Sequence, residues 1–305
     1  MPIDGILPIY KERDLRSTDC VSLVKKILPR GTKIGHAGTL DSTAEGLLLL
    51  LIGRATRLAD FIMTMPKVYR AMVYFGVQTS TDDASGEVVA TKATNHITDD
   101  LIQEALPMFL GTRLQVPPNI SAVHINGKRA HDLTRSGSDF QIQPKNIKIL
   151  QIEQTSKLQN NKAEFLIECT KGTYIRSFAR DLGFAMGTVA HINTLKRESV
   201  WKFNAATAIS SNMLQDFTWQ TLENYVQGLN NVCDFLPTFQ LDTASEQLMR
   251  NGLDCSISNL KILSLGDSEE KNKVLLISDT TFSLCDLRIK DNVVHALPKC
   301  NIFLL

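Results

Sequence analysis

The chain has 305 residues and a mass of 33.9 kDa, with 43% hydrophobic and 21% charged residues. That is enough for one large domain and a small second one, and it excludes a collagen, a disordered tail protein and a small disulfide scaffold. Lys and Arg number 33 against 32 Asp and Glu, but residues 1–200 hold 25 basic and 20 acidic side chains while residues 201–305 hold 8 and 12. A basic N-terminal two-thirds can present a local positive face on a chain of near-zero net charge, although such a split also arises by chance.

The elements follow in chain order. Ile3 to Tyr10 reads as a short apolar strand. Ser17 or Thr18 is placed to cap an amphipathic helix whose stripe is Val21, Val24, Ile27 and Leu28, ended by Pro29-Arg30-Gly31. A Gly-punctuated loop, Gly35 to Asp41, precedes the longest apolar run, Leu47 to Ile52, which is far too short to span a bilayer. Tyr69 to Val77 alternates as a strand, with Tyr69, Ala71, Val73, Phe75 and Val77 on one face. Ser80 to Gly86 is a turn, and Glu87 to Ala90 a returning strand. Thr98 to Leu110 reads as a helix, Ile147–Gln154 and Ala163–Thr170 as strands, Ile175 to Met186 as a helix, and Val200 to Asn204 as a further strand. From about Leu241 a new unit begins. It has a helix near Ser245 to Arg250 and strand-like runs Lys273–Ile277, Phe282–Leu287 and Ile302–Leu305. Helices and strands mixed in this way, with mostly antiparallel pairings, place the chain in the α+β class.

Six cysteines are scattered without a CxxC pair, which argues for reduced thiols, a cytoplasmic protein and no zinc site. The N-terminus has no basic region followed by an apolar stretch, so no secretory signal is expected. Asp41 stands in a Gly/Thr-rich loop with no carboxylate closer than Glu45. Such an aspartate is usually a turn or cap residue. An arginine beside a buried carboxylate keeps it ionised, and Arg176 follows a second Gly-Thr-Tyr turn. Tyr69 and Tyr174 are able to stack on a flat ring or to pack in the core, the commoner fate of tyrosine.

These residues belong to a larger pattern. Gly35-His36-Ala37-Gly38-Thr39-Leu40-Asp41, then Ala44-x-Gly46 and Gly53-Arg54-Ala55-Thr56, closely resembles the signature of the TruB family of tRNA pseudouridine synthases. Lys67-Val68-Tyr69-Arg70 resembles that family's KxYR segment, and Thr79 to Gly86 its acidic turn. Pro117 to Ala122 with Asn126 to Ala130 resembles its PPxxSA and NGKR stretch. Lys171-Gly172-Thr173-Tyr174-Ile175-Arg176 is similar to KGTYIR, and Leu195-Lys196-Arg197 to the LRR that follows. The blocks keep their order over about residues 1–205. A weaker match from about Leu241 resembles the small PUA-like domain that closes bacterial members.

The resemblance implies a pseudouridine synthase fold, with a mixed, largely antiparallel central sheet flanked by helices. It implies a catalytic domain over residues 1–240, with an insertion at about 124–152 that closes on the T loop, and a PUA-like domain over 241–305. The implied reaction is isomerisation of uridine to pseudouridine at position 55 of tRNA, with no cofactor and no metal. The implied partner is tRNA through its T stem-loop, met by a monomer. Asp41 becomes the catalytic aspartate, Arg176 its ion-pair partner, and Tyr69 the ring that stacks on the flipped uracil and a candidate acceptor of the C5 proton. Tyr174 and Leu195 are implied to line the pocket, and His36 to stand against the T loop or to be a buried turn histidine. Lys67, Asp83, Lys128 and Arg129, with the neighbouring Arg135, are implied to bind the substrate; a solvated face is the alternative for the basic segment.

The chain departs from the family pattern at several points. Lys11-Glu12-Arg13-Asp14 stands where the family has a Lys-Pro-x-Gly turn, which suggests a different backbone there. Ser42 follows Asp41 in place of proline, Ser80 replaces an acidic residue, and Ile120 and His124 replace Tyr and Lys. Two other readings stand beside the main one: a synthase acting on another RNA, and a tRNA-folding chaperone with dispensable catalysis.

Overall fold

The computed structural model describes residues 4–120, 124–125, 128–129 and 142–303. Its larger sheet has ten strands. Along the main path lie Ile209–Ser210, β1 (Gly5–Lys11), β3 (Glu45–Ile52), β12 (Ala190–Val200), β4 (Lys67–Phe75), β11 (Lys162–Cys169), β10 (Lys145–Gln154) and β7 (Gly111–Gln115). β2 (Ile34–His36) pairs with β3, and Phe203–Asn204 pairs with β12. Most pairings are antiparallel; β3 meets β12 in parallel, through Lys196 opposite Glu45 and Arg197 opposite Gly46. β5 (Val77–Thr79) pairs antiparallel with β6 (Val88–Thr91), and β8 (His124–Ile125) with β9 (Lys128–Arg129). β10 spans the end of the expected insertion and is a strand of the main sheet.

The unbroken apolar run from Leu47 to Ile52 is explained by burial on both faces of β3. Leu47, Leu49 and Leu51 pack with Phe61, Phe235 and Phe282, whereas Leu48, Leu50 and Ile52 pack under α1 (Ser17–Ile27) through Cys20 and Val24. On the other half of the sheet, α3 (Asp99–Ala105) and α4 (Ile175–Ala185) cover Ala71, Val73, Phe165 and Ile167. A second sheet of six strands, between Thr238 and Phe303, carries the helix Thr243–Arg250 and contributes Leu275, Phe282 and Ile302 to the core under β3. No helix among the described residues is long and apolar enough to cross a membrane.

Several elements differ from the sequence expectation. Neither Ser17 nor Thr18 caps α1: Arg16 is the N-cap residue, and its backbone N–H donates to Asp19. The strand from Tyr69 stops at Phe75, because Gly76 takes a left-handed φ of +92° where an added Cβ would meet Thr94 at 2.7 Å. Val77 therefore starts the next hairpin. The helix from Thr98 ends at Ala105 and continues as a 3₁₀ turn, Leu106–Phe109, since Pro107 has no N–H to extend the ladder. Val200 ends a strand and does not begin one: Trp201, at φ +48°, turns the chain back into Phe203–Asn204. β12 itself and the short helix α2 (Ala59–Thr64) were not anticipated.

Candidate active site

The loop between β2 and β3 is fixed from three directions. Ser17 Oγ donates to the Leu40 carbonyl at 3.0 Å and accepts from the Leu40 N–H at 2.9 Å. Lys11, fully buried, donates from Nζ to the carbonyls of Leu15 at 2.8 Å and Ala44 at 2.5 Å. Arg197, 1% exposed, donates to Leu47 O, Thr39 O and Gly38 O at 2.6, 3.3 and 3.2 Å. Gly46, at φ +105°, passes so close to β12 that a Cβ there would lie 2.4 Å from Arg197 O. In the Lys11–Asp14 turn Asp14 takes a left-handed φ of +69° and donates its N–H to Ser42 O at 2.8 Å.

This bracing presents Asp41, whose side chain is 41% exposed, at the edge of a cleft of about 270 Å³. Arg176 enters from the first turn of α4, and its Nε lies 2.9 Å from Asp41 Oδ2. The arginine side chain is only 7% exposed, and its Nη1 donates to Thr81 O at 3.0 Å and Ile120 O at 3.1 Å. Its aim is therefore set by backbone carbonyls from two other segments.

Behind Arg176 sits Asp83. Its Oδ1 accepts from Thr81 Oγ1 at 2.7 Å and from the N–H and hydroxyl of Ser85 at 2.9 and 2.5 Å, and its Oδ2 lies 3.8 Å from Arg176 Nη1. Burial pushes this carboxyl up, but the donors from Ser85 and Thr81 and the Arg176 charge outweigh it and hold the pKa below its ordinary value. Asp83 is a buried anion behind the pair, lining a smaller hollow that adjoins Asp41.

Tyr69 on β4, Tyr174 at the N-cap of α4 and Leu195 on β12 complete the cleft. Tyr174 is anchored through its backbone, which donates to Gln115 Oε1 at 2.8 Å and accepts from Gln115 Nε2 at 3.1 Å. Lys67 also lines the cleft, but it is 5% exposed and its ammonium donates to the carbonyls of Met63 and Met65, both at 2.6 Å. Burial, with the nearby Arg197 charge, lowers its pKa to about 7. His36 is on β2 opposite Leu50, away from the cleft lining. Its Nδ1 is buried with no hydrogen-bond partner among the described residues, and burial lowers its pKa.

The structure thus brings Asp41, Arg176, Tyr69, Tyr174, Leu195 and Lys67 to one cleft, puts Asp83 behind it, and leaves His36 outside its wall. Lys128 and Arg129 form β9, opposite Ile125 and His124, and Arg135 lies outside the described residues. Sequence reasoning missed Ser17 and Gln115, whose side chains hold backbone rather than facing the cleft. It assigned no role to Arg197, although that residue lies in a quoted block.

The family model described as TruB family pseudouridylate synthase (N terminal domain) matches residues 25–175. The tRNA pseudouridine synthase B of Ehrlichia chaffeensis is 41% identical over 212 residues, 69% of this chain and 71% of the relative. That of Clostridium perfringens (strain ATCC 13124) is 34% identical over 82% of this chain and 84% of the relative. The Aquifex aeolicus protein of the same name is 35% identical over 91% and 96%. Among solved structures, a chain of a Cbf5-Nop10-Gar1 complex aligns over 99% of this chain and 85% of its own length, with a TM-score of 0.72 at 20% identity. A chain of an H/ACA RNP bound to a substrate RNA aligns over 97% and 84%, with a TM-score of 0.69 at 18% identity. These two likenesses establish the fold.

Proposed function

This chain belongs to the TruB family of pseudouridylate synthases, and from that premise we propose that its cleft isomerises the uridine at position 55 in the T loop of tRNA. The chain is an isomerase that converts uridine to pseudouridine in tRNA. The observation that carries the finer reading is the Arg176–Asp41 pair standing beside Tyr69 and Tyr174 at a cleft large enough for one pyrimidine.

The reaction requires the target base to leave the stack, at a cost of a few kcal/mol. Stacking on the Tyr69 ring, worth about 1–3 kcal/mol per base, offsets much of that cost. The C1′–N1 bond of uridine then breaks, the base turns, and a C1′–C5 bond forms. The C5 hydrogen leaves to solvent and N1 gains one, so the composition is unchanged. Asp41 supplies the carboxylate, which adds covalently or takes a sugar proton. Arg176 fixes the direction of Asp41, and Asp83 fixes Arg176. The Tyr69 hydroxyl is the candidate acceptor of the C5 proton. Tyr174 and Leu195 close the pocket, and Lys67 braces its floor through the Met63 and Met65 carbonyls.

We read residues 1–240 as the catalytic domain and 241–305 as a PUA-like domain. Lys128 and Arg129 meet the T stem-loop backbone, His36 fills space at the T loop, and the enzyme works as a cytoplasmic monomer without a cofactor. The test is a T stem-loop transcript and full tRNA transcripts with each T-loop uridine replaced in turn. Loss of pseudouridine only when the position-55 uridine is replaced supports the assignment; turnover that survives that replacement contradicts it.

A further inference from the structure

Two arginines reach the walls of the cleft, and they are compensated differently. Arg176 faces the carboxylates of Asp41 and Asp83. Arg197 is buried with no carboxylate partner among the described residues; its guanidinium donates to three backbone carbonyls, Leu47 O, Thr39 O and Gly38 O. Carbonyls satisfy its N–H groups but leave its charge intact, and burying such a charge is costly. Among the described residues Lys67, the neighbouring amine, likewise donates to carbonyls alone, those of Met63 and Met65.

The position of Arg197 in the sheet is specific. It is the register partner of Tyr69 across β12 and β4, and of Gly46 across β12 and β3. Directly opposed residues of an antiparallel pair project to one face with Cβ atoms about 4.5–5.5 Å apart, which puts the guanidinium beside the phenol. Burial pushes the Tyr69 phenol above its ordinary value, and the charge and hydrogen bonding of Arg197 pull against that rise. One side chain therefore joins the aromatic wall of the cleft to Gly38 and Thr39, three and two positions ahead of Asp41.

We infer that Arg197 is a positioning residue for the reaction, holding the Tyr69 hydroxyl and the loop that carries Asp41 at fixed places on either side of the flipped base. This rests on the proposed function for its reaction, though not for its geometry. An arginine is required because one planar fork serves several oxygens while its charge acts on the phenol. A lysine at this position keeps the charge and loses the bridge.

The test is a double-mutant cycle of Arg197→Lys and Tyr69→Phe, read in single-turnover pseudouridine formation on T stem-loop RNA, with RNA affinity measured alongside. Arg197→Lys is expected to slow the step by about 100-fold, the cost of a small misplacement of reacting groups, with RNA affinity within about threefold of wild type. In the Tyr69→Phe background the further loss should shrink to about threefold or less, since the two residues act as a unit. Losses that multiply independently, a wild-type rate in Arg197→Lys, or a loss explained by weaker RNA binding would each overturn the inference. The same cycle run on urea unfolding needs no RNA. Coupling there supports the Arg197–Tyr69 link even if the RNA assignment fails, and additivity there refutes it.

Discussion

Arg176 Nε stands 2.9 Å from Asp41 Oδ2, joining the first turn of α4 to a loop 135 positions earlier in the chain. The arginine is itself held by Thr81 O, Ile120 O and, at 3.8 Å, Asp83. The half-exposed carboxylate is thus aimed by a buried cation that two other segments have already fixed.

Arg176→Lys therefore separates charge from direction. A lysine retains one positive charge but not the fork that spans Asp41, Thr81 and Ile120. Single-turnover pseudouridine formation should fall by about 100-fold, the effect of misplacing a reacting group by about 1 Å, with RNA affinity little changed. Rate and filter-binding measurements on the same preparation check this.

Lys67 makes stability depend on pH. Its folded pKa is lowered to about 7, against about 10.4 for an unfolded lysine. Above pH 7 the unfolded chain binds more protons at this group than the folded one, so its contribution to folding stability rises with pH toward 10. Wild type should gain relative to Lys67→Met between about pH 7 and 9. Urea midpoints for both proteins across that window give the answer, and a constant gap would exclude the titration.

Ser17→Ala removes a hydroxyl that both donates to and accepts from Leu40 inside the protein. The orphaned backbone groups should cost about 1–3 kcal/mol of stability, measured by chemical denaturation. The loop would loosen one residue from Asp41, so the single-turnover rate should fall even at temperatures where the variant is fully folded.

Much of this was legible in the sequence because its physical signal is local. The alternation from Tyr69 to Phe75 gave its strand, and Ala71, Val73 and Phe75 are its buried face. The blocks around Asp41, Tyr69 and Lys171 to Arg176 pointed to residues that the fold brings to one cleft. β12 escaped because bulges at Ile192/Thr194 and Arg197/Ser199 break its period of two, and because it carries Lys196, Arg197 and Glu198. Ser17 and Gln115 escaped because each bonds backbone far away in the chain, a relation that no spacing encodes. Lys67 has the composition of an RNA contact, yet its ammonium is turned onto Met63 and Met65.

The most direct measurement is tritium release from tRNA carrying 5-tritiated uridine, comparing wild type with Asp41→Asn. Wild type should release tritium as pseudouridine forms, while Asp41→Asn binds the RNA and releases none, because its geometry survives without the carboxylate. Release by Asp41→Asn, or a folded, RNA-binding wild type that releases nothing, would contradict the assignment of Asp41 as the catalytic group.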